Sequence, residues 1–308
     1  MDDRATKHMS ICARFMAASI LYKRGGVSTR ARMKCTFNGL EKIAKEQRWG
    51  ELTPGNITLK QFAKYVSLRL EQGISAHSLQ TDISAIRRAM VGAKRSLDVV
   101  NLFTAEALAA PSFSRVCTGT AIEATLYAEA LSNAPAHIAS LMSLQRLLGL
   151  RLGEAVASRD SLKSWAKVLA LGGTTLRLTH GCIAAKARAI YVHPSARSAV
   201  ENAIELALRV TEDGTIYAIS SADNPKQARQ HYSKELAAIG IKGSDSSQSL
   251  RRAYAIDQLQ RYKDAGYEDQ DALFCLSSDL GHGGTHSGCK WVMSNYIEPT
   301  LKMQDDDL

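Results

Sequence analysis

Residues 248–296 read QSLRRAYAIDQLQRYKDAGYEDQDALFCLSSDLGHGGTHSGCKWVMSNY. Arg251 stands three residues after Gln248, His282 closes the step Leu280-Gly281-His282, and Tyr296 follows that histidine by fourteen residues. A guanidinium fork neutralises phosphate oxygens two at a time, an imidazole donates to them, and a phenol is an oxygen nucleophile. Brought together, the three make a kit for attacking a phosphodiester. A second segment, LLGLRLGEAV at 147–156, lies about a hundred residues upstream and supplies Gly149, Leu150, Arg151 and Glu154. The glycine marks a turn after an apolar helical run. Glu154, three residues after Arg151, is placed to brace both the new helix and the guanidinium.

Charge is distributed unevenly along the 308 residues. Residues 1–115 carry 19 Lys and Arg against 9 Asp and Glu, a net of +10, whereas residues 116–308 carry 20 against 21, a net of −1. A polyanion bound by the first third would release counterions, so its affinity would fall steeply with salt. The sequence therefore points to nucleic acid as a partner, with a solvated basic face as the bland alternative. Hydrophobic residues make up 45% of the chain, which excludes a disordered polymer. No apolar run reaches the roughly 18–20 residues needed to cross a bilayer, and MDDRATKHMS lacks the basic start of a signal peptide, so no membrane partner is expected. The six scattered cysteines form no CxxC or CxxC…HxxxH pattern, which predicts reduced thiols, no metal and no disulfide framework.

Hydrophobic periodicity predicts a helix over 9–24 (Ile11, Phe15, Ile20, Leu21), broken at Gly25-Gly26. A second runs over 28–47, capped by Ser28 or Thr29, with Met33, Phe37, Leu40 and Ile43 inward. After the Thr53-Pro54-Gly55 turn, a third covers 58–72 (Phe62, Val66, Leu70), and Ser75 or Ser78 caps a fourth with Leu79, Ile83, Ile86 and Met90 as its stripe. Arg87, Arg88, Lys94 and Arg95 fall mainly outside that stripe and are the candidate DNA contacts. Periodicity fades around Ala110-Pro111-Ser112, which divides the chain into domains at 1–110 and 119–308. Helices follow at about 120–132 and 135–148. KVLAL, TTLRLTHG and ARAIYVH read as three short strands, and further helices are expected at about 194–210, 225–239 and 249–263. The expected fold is mainly α with a small antiparallel β-sheet.

The order GLR…E, LRRAYA, LGH and a late tyrosine resembles the catalytic domain of the tyrosine recombinases, the phage-type integrases, over most of residues 120–298. Within that family, the long spacers resemble the integrases of plasmids and integrative elements. The four basic N-terminal helices resemble the family's core-binding (SAM-like) domain, which clamps DNA. The resemblance implies cleavage of DNA through a 3′-phosphotyrosyl intermediate, with no cofactor, at a specific recombination site on double-stranded DNA. It further implies a homo-tetramer on DNA that is a monomer or dimer when free, located in the bacterial cytoplasm at the nucleoid. Carried over residue by residue, it makes Arg151 and Arg251 the phosphate-binding arginines, His282 a phosphate hydrogen-bond donor and Tyr296 the nucleophile; the stretch GCKWVMSNYI itself is expected to set Trp291 and its apolar neighbours against the core while the phenol points out.

Two positions depart from the family pattern. Gln248 stands where a histidine is usual; it donates a hydrogen bond but exchanges no proton. The family lysine that protonates the leaving oxygen lies in the β-hairpin turn HGCIAAKARAIYV, where Ile183 matches best by distance from Arg188 and Lys186 is the one lysine. Lys186 is the candidate. These departures motivate a second reading, a catalytically weak or inactive DNA-binding accessory or regulatory protein on the same fold. A helical protein–protein adaptor is a third.

Overall fold

The computed structural model describes residues 9–23, 25–111, 119–182, 187–212 and 225–301. The chain divides into two compact units, Met1–Arg115 and Val116–Leu308. The first is helical: α1 (Ile11–Tyr22), α2 (Val27–Glu46), α3 (Leu59–Glu71), α4 (Ala76–Gly92) and the single-turn α5 (Leu97–Asn101). Ser10 caps α1 through Ala13 N–H, Ser75 caps α4 through Ser78 N–H, and Thr58 with Gln61 forms a reciprocal capping box on α3. Helix α2 starts one residue before Ser28 without a side-chain cap. Phe15, Phe37, Leu40, Phe62, Leu79, Ile86 and Met90 fill the core. One carboxylate is buried among them: Asp82 accepts from Thr36 Oγ1 (2.7 Å) and Tyr65 OH (2.8 Å), and Arg69 Nε lies 3.4 Å away. Its buried charge is thereby hydrogen-bonded, as burial requires. Ile20 and Leu21, expected on the inner stripe of α1, are solvent-exposed.

The second unit is built around α7 (Ala136–Leu148), whose Ile138, Leu141, Leu144 and Leu148 are all buried. It follows α6 (Ala124–Asn133) and packs on α10 (Arg197–Glu212) and α12 (Ser247–Asp264). Gln145, buried in α7, donates to Ser247 O (3.0 Å) and accepts from Tyr232 OH (3.1 Å) of α11 (Pro225–Ala238). Between α7 and α10 come α8 (Leu152–Ala157), α9 (Leu162–Ala170) and the antiparallel pair β1 (Thr175–Leu178) and β2 (Arg188–Tyr191), with Leu176 opposite Ile190 and Leu178 opposite Arg188. After α12 come α13 (Asp269–Asp279), α14 (His286–Val292) and a π-turn at Met293–Ile297.

The described sheet has two strands, where three were expected, because most of KVLAL at 167–171 lies in helix α9. Leu162, Trp165 and Leu169 bury one face of α9 at spacings of three and four, and Trp165 Nε1 donates to Arg177 O (2.9 Å), clipping that helix to β1. A five-residue apolar run does not by itself distinguish a buried strand from the inner face of a helix.

Candidate active site

The site grows from the turn between α7 and α8. Gly149 ends α7 in the left-handed region, with φ of 57° and ψ of 38°, the conformation a helix C-terminus assigns to glycine. A Cβ there would overlap the ring of Tyr254. Gly149→Ala therefore combines backbone strain with overpacking, and we expect a loss of about 2–4 kcal/mol, read as a lower midpoint in urea unfolding.

Arg151 is the N-cap of α8. Its backbone N–H donates to Glu154 Oε2 (2.7 Å), Nη1 to Glu154 Oε1 (2.7 Å) and Nη2 to Leu280 O (2.9 Å). Arg251, on α12, is fully buried; it donates through Nη1 to Gly149 O, through Nη2 to Leu280 O and through Nε to the phenol oxygen of Tyr296 (2.9 Å). Gln248 Nε2 donates to the same phenol oxygen at 3.0 Å.

A third guanidinium belongs to this cluster. Arg188, the first residue of β2, donates through Nε to Glu154 Oε1 (3.3 Å) and through Nη2 to Glu154 Oε2 (2.8 Å) and Gly149 O (3.2 Å). Its Nη1 donates to Asp279 O. Motif spacing gives Arg188 no role. A signal does exist in the sequence, since in the alternation of β2 it shares the inward face with Ile190, and an arginine at an inward strand position must be paired.

Three guanidiniums against one carboxylate leave the cluster positively charged. Burial alone would raise the Glu154 carboxyl, but the Arg188 guanidinium, Arg251 and the Arg151 N–H hold it down at about 2. Burial pushes Arg251 down to about 10, with the neighbouring arginines adding to that effect. His282 lies between the arginine cluster and the aromatic rings of α14 and the π-turn: its ring stacks on Trp291 with centroids 4.1 Å apart, and the Tyr296 ring is 6.0 Å away. Burial first, then Arg251, Arg151 and Arg188, lower its imidazole to about 4. His282 Nε2 is buried with no hydrogen-bond partner among the described residues. Beneath the 280–282 turn, Asp279 accepts from Tyr262 OH (2.7 Å) and from Tyr191 N–H (3.2 Å), tying the end of α13 to α12 and β2. Burial raises its carboxyl to about 6.

The phenol of Tyr296 is buried and turned inward onto Arg251, not outward as the sequence predicts. Tyr296 lies in the π-turn, whose wider winding changes the direction of the side chains it carries relative to a continuous α-helix. Lys186 and Ile183 lie outside the described residues. Of the other nearby histidines, His180 Nδ1 lies 3.2 Å from Ser161 Oγ, His193 Nδ1 accepts from Ser195 N–H (3.3 Å), and His286 is exposed.

In the first unit, Lys94 is exposed and Arg87 Nη2 donates to Asn101 Oδ1 (3.2 Å). Arg88 instead donates to the Ser19 and Lys23 carbonyls at the end of α1. Arg95 donates to Ile57 O (2.6 Å) and lies 5.1 Å from the Phe103 ring centroid. Among the described residues, no group of three or more His, Cys, Asp or Glu side chains could hold a metal, and no helix is long and apolar enough to cross a membrane.

A family model described as Integrase matches residues 110–257, a span holding Arg151, Glu154, Arg188, Gln248 and Arg251. The Tn1549 transposon integrase in complex with transposon right end DNA is similar in fold at 13% identity, covering 97% of this chain and 98% of that one with a TM-score of 0.57. A lambda integrase tetramer bound to a Holliday junction is similar at 18% identity, covering 89% of this chain and 74% of that one with a TM-score of 0.55. A lambda integrase dimer on a COC′ core site gives 18% identity, 89% and 91% coverage and a TM-score of 0.54. No curated protein matches the sequence. The integrase match spans both motif arginines, and the fold is that of the tyrosine recombinases.

Proposed function

We propose that this protein is a site-specific DNA recombinase, an integrase that cuts and rejoins duplex DNA through a 3′-phosphotyrosyl intermediate. The observation that carries the reading is the 2.9 Å contact between Arg251 Nε and the Tyr296 oxygen, in a cradle whose Leu280 carbonyl also holds Arg151. Two guanidiniums, an imidazole and a nucleophilic oxygen thus face one small volume. The Tyr296 oxygen attacks the scissile phosphorus and gives its proton to solvent water; the P–O5′ bond breaks and the 5′ oxygen, protonated by Lys186, leaves as a hydroxyl. Negative charge spreads over the non-bridging oxygens and is met by Arg151 and Arg251, preorganised before the substrate arrives. His282, uncharged at neutral pH, donates to one of those oxygens. Lys186 is the candidate proton donor to the leaving oxygen, and Gln248 orients the phenol without exchanging a proton. Attack by the hydroxyl of another strand reverses the step and keeps the bond energy, so no nucleotide cofactor is consumed.

Residues 1–110 form the DNA clamp and residues 119–308 the catalytic domain. The duplex carries a specific site, and four copies assemble on two sites, a reading supported by the solved lambda integrase tetramer bound to a Holliday junction; the free protein is a monomer or dimer. Cytoplasmic DNA at the bacterial nucleoid is the place of action. The test is incubation with nicked suicide duplexes spanning the DNA that flanks its gene. A covalent protein–DNA adduct that survives SDS is the expected result, and its absence where DNA is still bound favours the second reading, an accessory DNA-binding protein. Gln248, in place of a proton-exchanging histidine, is the residue that motivates that alternative.

The DNA clamp makes its own prediction. Because Arg88 and Arg95 also hold the fold together, Arg87→Glu with Lys94→Glu isolates the surface contribution. Removing one phosphate-neutralising charge should flatten the slope of log affinity against log salt by about 0.9, and removing the pair by about 2. An unchanged slope in a filter-binding titration would remove that face from the interface.

A further inference from the structure

Arg188 differs from the other two arginines in where its donors go. Its side chain is 6% exposed. Nε and Nη2 hold both oxygens of Glu154, Nη2 also holds Gly149 O, and Nη1 holds Asp279 O. Those acceptors belong to the framework that orients the other arginines. Glu154 holds Arg151, the Gly149 carbonyl holds Arg251, and Asp279 precedes Leu280, whose carbonyl holds both. Arg188 thus ties β2 to the α7–α8 turn and to the end of α13 at once.

We infer that Arg188 is a positioning residue for the phosphodiester attack: its planar fork keeps the Arg151 guanidinium and the 280–282 turn in register. The inference rests on the recombinase reading for its rate consequence alone. A second consequence is electrostatic and independent of DNA. The charges of Arg251, Arg151, Arg188 and Glu154 all act on His282, and the rings of Trp291 and Tyr296 lie 4.1 Å and 6.0 Å from its own. Removing the Arg188 charge lets the imidazole take up a proton at higher pH, which a purely mechanical brace would not do.

Two variants separate fork from charge. Arg188→Lys keeps the charge and loses the fork; Arg188→Met loses both. Arg188→Lys should bind site DNA within about twofold of the wild type and form the covalent adduct about 100-fold more slowly, the scale of a misplacement of roughly 1 Å. In the free protein, imidazole NMR should show His282 titrating at higher pH in Arg188→Met and unmoved in Arg188→Lys. Adduct formation by Arg188→Lys at the wild-type rate overturns the inference, and so does an unmoved His282 in Arg188→Met. If Arg188→Met does not fold, the rate of Arg188→Lys decides. If the wild-type protein forms no adduct, it is the recombinase reading that falls, and the NMR titration still decides the role of Arg188.

Discussion

Tyr296→Phe is expected to form no SDS-resistant DNA adduct while still binding DNA. The substitution removes one oxygen and leaves the ring that packs against Trp291 in place. Loss of the attacking group of a covalent mechanism lowers the rate on the order of 10⁴-fold or more, below detection in a gel assay. The same oxygen also accepts from Arg251 Nε and Gln248 Nε2. Arg251 is fully buried, so its Nε loses a partner that water does not readily replace, and we expect stability to fall by about 1–3 kcal/mol. The variant is thus slightly less stable and entirely inactive, a combination that calorimetry and the adduct gel read separately. An adduct that persists in Tyr296→Phe would move the nucleophile elsewhere in the chain.

Glu154→Ala is expected to have the largest effect on stability. Glu154 is fully buried and neutralises Arg151 and Arg188 directly, with Arg251 Nη1 3.8 Å from Oε2. Its removal leaves buried guanidiniums facing one another without a counter-charge, a change that costs about 3–5 kcal/mol. The acid limb of the stability curve gives an independent check. The folded carboxyl sits at about 2 against an ordinary value of 4.5, so its contribution is present above about pH 4.5 and is lost as pH falls toward 2. That contribution is on the order of 3 kcal/mol. Urea unfolding at pH 7 and pH 3 should show wild-type stability dropping across this window, with a smaller drop in Glu154→Gln. Equal drops in the two proteins would mean that Glu154 is not the titrating group.

How far the sequence can be read depends on what each feature needs. The amphipathic helices of the first unit and α7 are legible because apolar residues recur at three and four along them. Arg151, Arg251 and Tyr296 are legible through the order of their motifs, and the structure brings them within one hydrogen-bonded cluster. The helical state of residues 167–170 is not, since a short apolar run has no period long enough to count. Arg188 escapes because its importance lies in its acceptors: two backbone carbonyls and a glutamate from segments far away in sequence. Neither the inward turn of the Tyr296 phenol nor its second donor, Gln248, follows from residue identity; Tyr296 lies in the over-wide turn Met293–Ile297, which no periodicity in the sequence marks.

That winding bears on how relatives of this chain would be recognised in genomes. The integrase match ends at residue 257, before His282 and Tyr296, and between those two the backbone passes through a loop, a short helix and one over-wide turn. The fourteen residues from imidazole to phenol are taken up by these elements, and the two rings end with centroids 6.0 Å apart. A census that fixes the count will pass over proteins built this way; one that fixes the three-dimensional separation will retain them.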